Sequence, residues 1–486
     1  MSHVIGYHTK TLHLKCASRH ERTATNYRYA STPIANPIIP NPAYFNGLDD
    51  GLKDQLPTAV QCAVHLELLE AFHAVKIRVI ECEALDGIFG IKAPTKTIYR
   101  RKYMKTLDKH VNQEVTVKVE GWEARREKKW PRYLDFAADR FVDWAKVIDK
   151  EMAATEGDDE KLEIRLPWLP PLGLSCALLY WAVILIRSVD VLMVWHAFLL
   201  NPSDYINYCQ AESLTHLPRV SFPWTRIHEA IDSQGPRYKA WFYQLQKDNE
   251  DWLRNKADID PNLHQYLVNL GKPIGFTMRS GVSIDKGATG ILSLSKPKSQ
   301  SKLEKSLIAN VERQSVFADK MHAHLWIRSP GLGGTMNRAV ERYENFLELF
   351  QLYPGKMLVP NLDIDLVWHT NQLSAAGYKA TMESRCGRFI NHDDKIGKST
   401  LKSGMSDTDN LYRIHFGDEY SVCLCWECQA IASAIEDADK DGDLFETGSF
   451  QFASNITDKV QGDVDYYRAV EIARRKNFIN LPLRPS

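Results

Sequence analysis

The residues best equipped for chemistry lie in the second half of the chain. In Asp363-Ile-Asp365-Leu-Val-Trp368-His369-Thr370-Asn371-Gln372, a helix capped by Asp363 puts Asp365, His369 and Gln372 on one face, at i, i+4 and i+7. A carboxylate and an imidazole one turn apart can share a metal ion or pass a proton. His369 therefore reads as a ligand or general base oriented by Asp365, with further ligands from Cys386, His392, Asp393 or Asp394. The competing reading is that the Asp-His pair ties its helix to a neighbour. Further on, Cys423-Leu-Cys425-Trp426-Glu-Cys428 gathers three thiols in a run that suits zinc, with His415 or Cys386 as a fourth ligand, or that packs as reduced cysteine. Next, Asp437, Asp439, Asp441 and Gly442 match positions 1, 3, 5 and 6 of a calcium loop. Position 12 is Gly448 instead of the bidentate glutamate, and the residues beyond it do not read as a helix, so calcium is not expected there.

Asp190-Val-Leu-Met-Val-Trp195-His196-Ala-Phe-Leu-Leu200 aligns with the segment from Asp363 to Leu373, and the match runs on to Tyr205 and Tyr378. A tandem duplication explains both copies. In the first, Leu192 and Leu199 stand where the second has Asp365 and Gln372, so His196 is expected to be structural. The elements that must hold these motifs are mostly helical. Val60, Ala63, Leu66, Leu69, Phe72 and Val75 form a helical stripe across residues 58–82, with His65 and His73 as hydrogen-bonded passengers. Similar stripes cover 132–152, 224–270 and 335–350, the last with Thr335 as a plausible cap. Gly331, Gly333 and Gly334 lack the lysine of a phosphate loop.

The expected architecture is mainly α, two related helical units with short extended connections. A mobile N-terminal arm spans 1–55, and the first unit, with its Trp-His motif, spans 56–270. A Gly/Ser/Lys-rich linker or long loop covers 271–306, and the second unit, with the other Trp-His motif and the cysteines, covers 307–430. An irregular acidic segment takes 431–486.

Lys plus Arg and Asp plus Glu both number 61 among 486 residues, so the chain has no basic surplus for general nucleic-acid or anionic-membrane binding. The first residues contain no apolar signal core, and nine cysteines are few and odd in number, which points to a cytoplasmic protein with reduced thiols. The uncharged stretch from Leu166 to Ile186 imitates a membrane span. Pro167, Pro170 and Pro171 leave too few residues before Arg187 to cross a bilayer as a helix, so none is expected to do so.

The chain resembles the glycine-rich domain-containing protein-like family, as a fungal-type member without the glycine-rich tail. The resemblance rests on LPTAVQCAVHLELLEAF with the following LDGIFGI, on DVLMVWHAFLLNPSDY, on RAVERYENFLELFQLYPGKMLVPNLDIDLVWHTNQLS, on NHDDK and on CLCWECQAI. It implies an intracellular, mainly helical protein of a family without an agreed enzymatic activity. Roles resting on a glycine-rich tail do not carry over. Where the family often has Trp-His-Thr-His, this chain has Trp368-His369-Thr370-Asn371, which removes one metal donor. The family also runs Leu-Pro-Pro-Leu straight into Asp-Val-Leu-Met-Val-Trp-His, whereas Gly173 to Val189 intervene here, as a retained intron would produce. The expected function is that of a structural or interaction protein with a protein partner, holding zinc through Cys423, Cys425 and Cys428. The alternative is a metal-dependent enzyme, hydrolytic or oxidative, in which Asp365, His369 and His392 are ligands or acid-base groups.

Overall fold

The computed structural model describes residues 27–29, 39–49, 56–91, 95–106, 108–153, 189–233, 241–243, 247–255, 257–270, 301–392, 397–440, 449–475, 480 and 482–484. The Asp393 and Asp394 candidates, the calcium-loop residue Asp441, the apolar run from Leu166 to Ile186 with the stretch from Gly173 to Ser188, and linker residues 271–300 lie outside them.

The fold is organised around helix α1 (Ala59–Glu81). A capping box starts it: the Thr58 hydroxyl accepts from the Gln61 amide at 3.2 Å, while the Thr58 amide donates to the Gln61 side chain at 2.9 Å. Every residue from Gln61 to Phe72 is buried, so α1 is enclosed on all sides instead of showing the one-sided stripe expected of a surface helix. Beyond it come α2 (Ala84–Ile88), an antiparallel hairpin of β1 (Thr95–Met104) and β2 (Lys109–Lys118), α3 (Trp122–Glu127) and α4 (Lys129–Ala153). The first Trp-His motif forms α5 (Val189–Leu199), followed by α6 (Pro202–Ala211) and α7 (Trp224–Ala230). Two-residue strands β3 (Ile231–Asp232) and β4 (Phe242–Tyr243) pair before α8 (Lys247–Asn255) and α9 (Leu263–Leu270). Residues 224–270 are thus not the continuous helical pattern expected from the sequence: α7 ends at Ala230, and Ile231–Asp232 pairs with Phe242–Tyr243.

The second half opens with α10 (Lys302–His324), capped by Ser301 with Glu304, so the final residues assigned to the linker form the first turn of this helix. It continues with α11 (Leu332–Leu352), α12 (Leu362–Gln372, the second Trp-His motif), α13 (Ala375–Cys386), α14 (Lys398–Phe416), α15 (Trp426–Lys440) and α16 (Ser449–Arg475). The last of these replaces the irregular segment expected after Gly448. Val464, Val470 and Ala473 are buried on it, and this packing outweighs its polar composition. Within the segment read as a mobile arm, Ile39 and Phe45 are buried; Phe45 stacks on His228 at 4.0 Å, and Asp49 accepts from Gln61 at 3.0 Å.

Helix α1 touches α4, α7, α10, α11 and α12, and one continuous apolar core runs from Phe45 to Val464. Both Trp-His helices are built into that core. Among the described residues, no helix is long and apolar enough to cross a membrane.

Candidate functional site

The two Trp-His helices make matching contacts. Arg140 on α4 reaches Asp190 at 2.7 Å, and Arg342 on α11 reaches Asp363 at 2.7 Å. The Trp195 indole donates to the Tyr205 hydroxyl at 3.4 Å, as Trp368 does to Tyr378 at 3.0 Å. Each tyrosine then donates to a carbonyl twelve residues further on, Tyr205 to Leu217 at 3.5 Å and Tyr378 to Ile390 at 2.7 Å. Aromatic rings from the preceding long helix cover both indoles, Trp144 on Trp195 at 5.8 Å and Phe346 on Trp368 at 5.6 Å.

The copies differ around their histidines. On α12, the Asp365 carboxylate stands 3.4 Å from His369 Nε2 and 3.7 Å from His392 Nε2, and the two imidazole nitrogens are 3.4 Å apart. His392 arrives from the segment after α13, its ring perpendicular to that of His369 at 86°. Phe317 shields His369 at 4.4 Å and Trp368 shields His392 at 5.0 Å. An ion about 2.1 Å from each donor would separate tetrahedral ligands by roughly 3.4 Å, so the spacing of these three suits a transition metal. Burial pushes the Asp365 carboxyl up, but the adjoining imidazoles outweigh it and hold the group below its ordinary value, in the ionised form a ligand needs. Gln372, on the same helix, is completely buried, and neither end of its amide is hydrogen-bonded among the described residues.

His196 of the first copy sits in a different setting. Its Nε2 lies 2.9 Å from His65 Nε2, while His65 Nδ1 lies 2.9 Å from the Thr370 hydroxyl. Thr370 donates its own proton to the Leu366 carbonyl at 2.7 Å, so His65 carries hydrogen on Nδ1 and accepts from His196 Nε2. Burial, reinforced by the neighbouring His369, pushes His196 down to about 3, and burial likewise holds His65 well below the usual histidine range. The chain from His196 through His65 to Thr370 thus connects the first Trp-His helix to the second across α1. Sequence reasoning missed that role for His65; its signal was a histidine inside the run Cys62-Ala-Val-His65-Leu, where no water-facing position is available.

Cys423, Cys425 and Cys428 meet at the start of α15, their sulfurs within 4.8 Å of one another and those of Cys423 and Cys425 at 3.4 Å. Hydrogen bonds that the Cys428 thiol makes to Cys423 and Cys425, together with burial, push it far up from its ordinary value. Neither fourth ligand expected from the sequence joins them. Cys386 is buried against the Leu347 carbonyl at 3.6 Å, and His415 pairs with Glu348 at 3.2 Å. Of the acidic run, Asp437 and Asp439 belong to α15.

A family model described as "Glycine-rich domain-containing protein-like" matches residues 285–381, the part that contains α10, α11, α12 and the start of α13. Glycine-rich domain-containing protein 1 of Arabidopsis thaliana is 33% identical over 251 residues, 49% of this chain and 25% of the relative. Glycine-rich domain-containing protein 2 of the same plant is 33% identical over 142 residues, 26% of this chain and 17% of the relative. The chain therefore spans a quarter or less of the length of these curated relatives. No solved structure matches it. Residues 285–381 are thus similar to the glycine-rich domain-containing protein-like family, and the second Trp-His helix with its Asp365 and His369 lies inside that matched part.

Proposed function

We propose that the protein is an intracellular helical scaffold that presents its surface to a protein partner, with the two Trp-His helices, arisen by duplication, as the interlock of its core. The observation that carries this reading is the paired set of buried contacts: Arg140–Asp190 and Arg342–Asp363, Trp195–Tyr205 and Trp368–Tyr378, all directed inward. Side chains committed to one another in this way position helices, and a scaffold of this kind takes its metal as a structural part, zinc at the cysteines. Neither nucleic acid nor a membrane is the proposed partner, in keeping with the balanced charge.

A second reading is favoured by one specific feature, the convergence of Asp365, His369 and His392 within 4.8 Å. Two imidazoles and a carboxylate leave positions open on a bound metal, where it would activate water or oxygen for hydrolytic or oxidative chemistry. Asp365 would hold the metal and His369 and His392 would complete it. His369→Ala and Asp365→Ala separate the two readings. The scaffold predicts a lowered melting temperature for either variant with metal content unchanged; loss of stoichiometric metal, with the fold and melting temperature intact, would replace it with the enzyme.

A further inference from the structure

The end of α10 and the start of α15 hold each other through a reciprocal pair of indole bonds. Trp326 donates to the Leu424 carbonyl at 2.9 Å, and Trp426 donates to the His324 carbonyl at 2.7 Å. Between His324 and Trp326, Leu325 adopts a left-handed conformation, φ 50° and ψ 43°, uncommon for a bulky residue and here buried. This turn ends α10 and swings residues 324–326 across the cysteine segment 423–428. The neighbouring α11 is drawn in just as closely: a Cβ on Gly331 would lie 2.9 Å from the backbone of Ala430, two residues beyond Cys428. Three thiols crowded together, two partly exposed and Cys428 buried, thus sit where three elements of the second unit meet.

We propose that Cys423, Cys425, Cys428 and His324 form a tetrahedral zinc site that clasps the end of α10 to the start of α15. His324 would supply the ligand that the sequence sought at His415 or Cys386; its ring is not within 4.8 Å of all three sulfurs as the side chain now stands, so binding would require it to turn about its side-chain bonds toward them. Its backbone is held at the site by Trp426, and its ring packs beside Trp326 at 5.3 Å. A neutral imidazole is the form in which histidine binds zinc. A dication would also reverse the mutual penalty that the three sulfurs impose on ionisation. Four protein ligands leave no open position, so the role is structural. The proposal deepens the scaffold reading, on whose structural metal it rests.

X-ray absorption at the zinc edge of the full chain, purified under reducing conditions and loaded with one equivalent of zinc, tests the ligand set. The expected shell is three sulfurs at about 2.3 Å and one nitrogen at about 2.0 Å. His324→Ala should exchange the nitrogen for a solvent oxygen and weaken zinc roughly tenfold or more in a chelator competition. His324→Cys should keep the zinc with four sulfurs, which preserves the test if the alanine variant does not fold. A nitrogen shell that persists in His324→Ala, or full zinc uptake after joint replacement of Cys423, Cys425 and Cys428 by serine, overturns the site. If the reduced wild-type chain binds no zinc, the site also falls, while the scaffold reading stands or falls separately on the melting temperature of His369→Ala.

Discussion

The matched Arg-Asp pairs make the interlock measurable. Asp363 is 2% exposed and lies in the first turn of α12, where Arg342 meets it at 2.7 Å and also donates to the Tyr420 carbonyl at 2.7 Å. Arg342→Ala leaves a buried carboxylate without its counter-ion, a loss that costs about 3–5 kcal/mol in comparable sites. The N-terminal dipole of α12 offsets about 0.3–1 kcal/mol of it, so about 3 kcal/mol is expected. Arg140→Ala should cost a similar amount, because Asp190 is 1% exposed and its arginine lies at the same 2.7 Å. Urea unfolding followed by tryptophan fluorescence reads both, since Trp195 and Trp368 lie one turn beyond the two aspartates on their helices. In a double-mutant cycle, Arg342→Ala with Asp363→Ala should show a coupling of about 2–3 kcal/mol, because the second change removes the stranded charge. A loss under about 1 kcal/mol for Arg342→Ala, or a large loss in one copy and none in the other, would refute the claim that the pairs anchor equivalent units.

Trp368→Phe should destabilise by about 1 kcal/mol more than Trp195→Phe, because the first removes a 3.0 Å indole-to-tyrosine hydrogen bond and the second only a 3.4 Å contact; the same unfolding assay compares them. Stability should also fall as pH drops below about 6.5. The unfolded chain protonates His196 there, while the folded site, faced by His65, His369 and the Phe72 ring, resists down to about 3. The linked loss is about 1.4 kcal/mol per pH unit from His196 alone, or roughly 2 kcal/mol at pH 5, and His65 adds to it in the same direction. His196→Leu should flatten the slope measured by urea unfolding between pH 7 and pH 5; an unchanged slope would show that His196 is not the group resisting protonation.

The helical class was legible because long apolar stripes at period 3.6 dominate the chain, and α1, α4 and α11 fall where those stripes lie. The break inside 224–270 was less so, since aromatic residues serve helix and strand cores equally well and only Gly235-Pro236 marked the interruption. Helix α16 was hidden by composition: its buried residues are sparse among Asp, Lys and Asn, and Val470 and Ala473 pack in a small cluster with Ile39 from the other end of the chain. The grouping of Asp365 with His369 could be read from their spacing, and His392 joined them as one of several downstream candidates. His65 could not be found that way: its partner His196 is 131 positions away, and no local pattern carries such a pairing.

The registers of the two copies explain why metal-binding geometry arises in only one. Counting from each tyrosine, the carbonyl acceptors Leu217 and Ile390 are equivalent, which places Arg219 opposite His392; Leu192 already stands opposite Asp365. Of the three donors, the first copy keeps only the histidine, and that histidine bonds to His65 in a fully buried setting. The second copy keeps all three, with Asp365 partly open to solvent, its side chain 23% exposed. The equivalent position in the first copy is Leu192, at 1% exposure. A carboxylate at this position adds charge beside two imidazoles, which the apolar copy lacks, and this is why Asp365, more than the histidine shared by both copies, separates a scaffold from a metal-dependent enzyme.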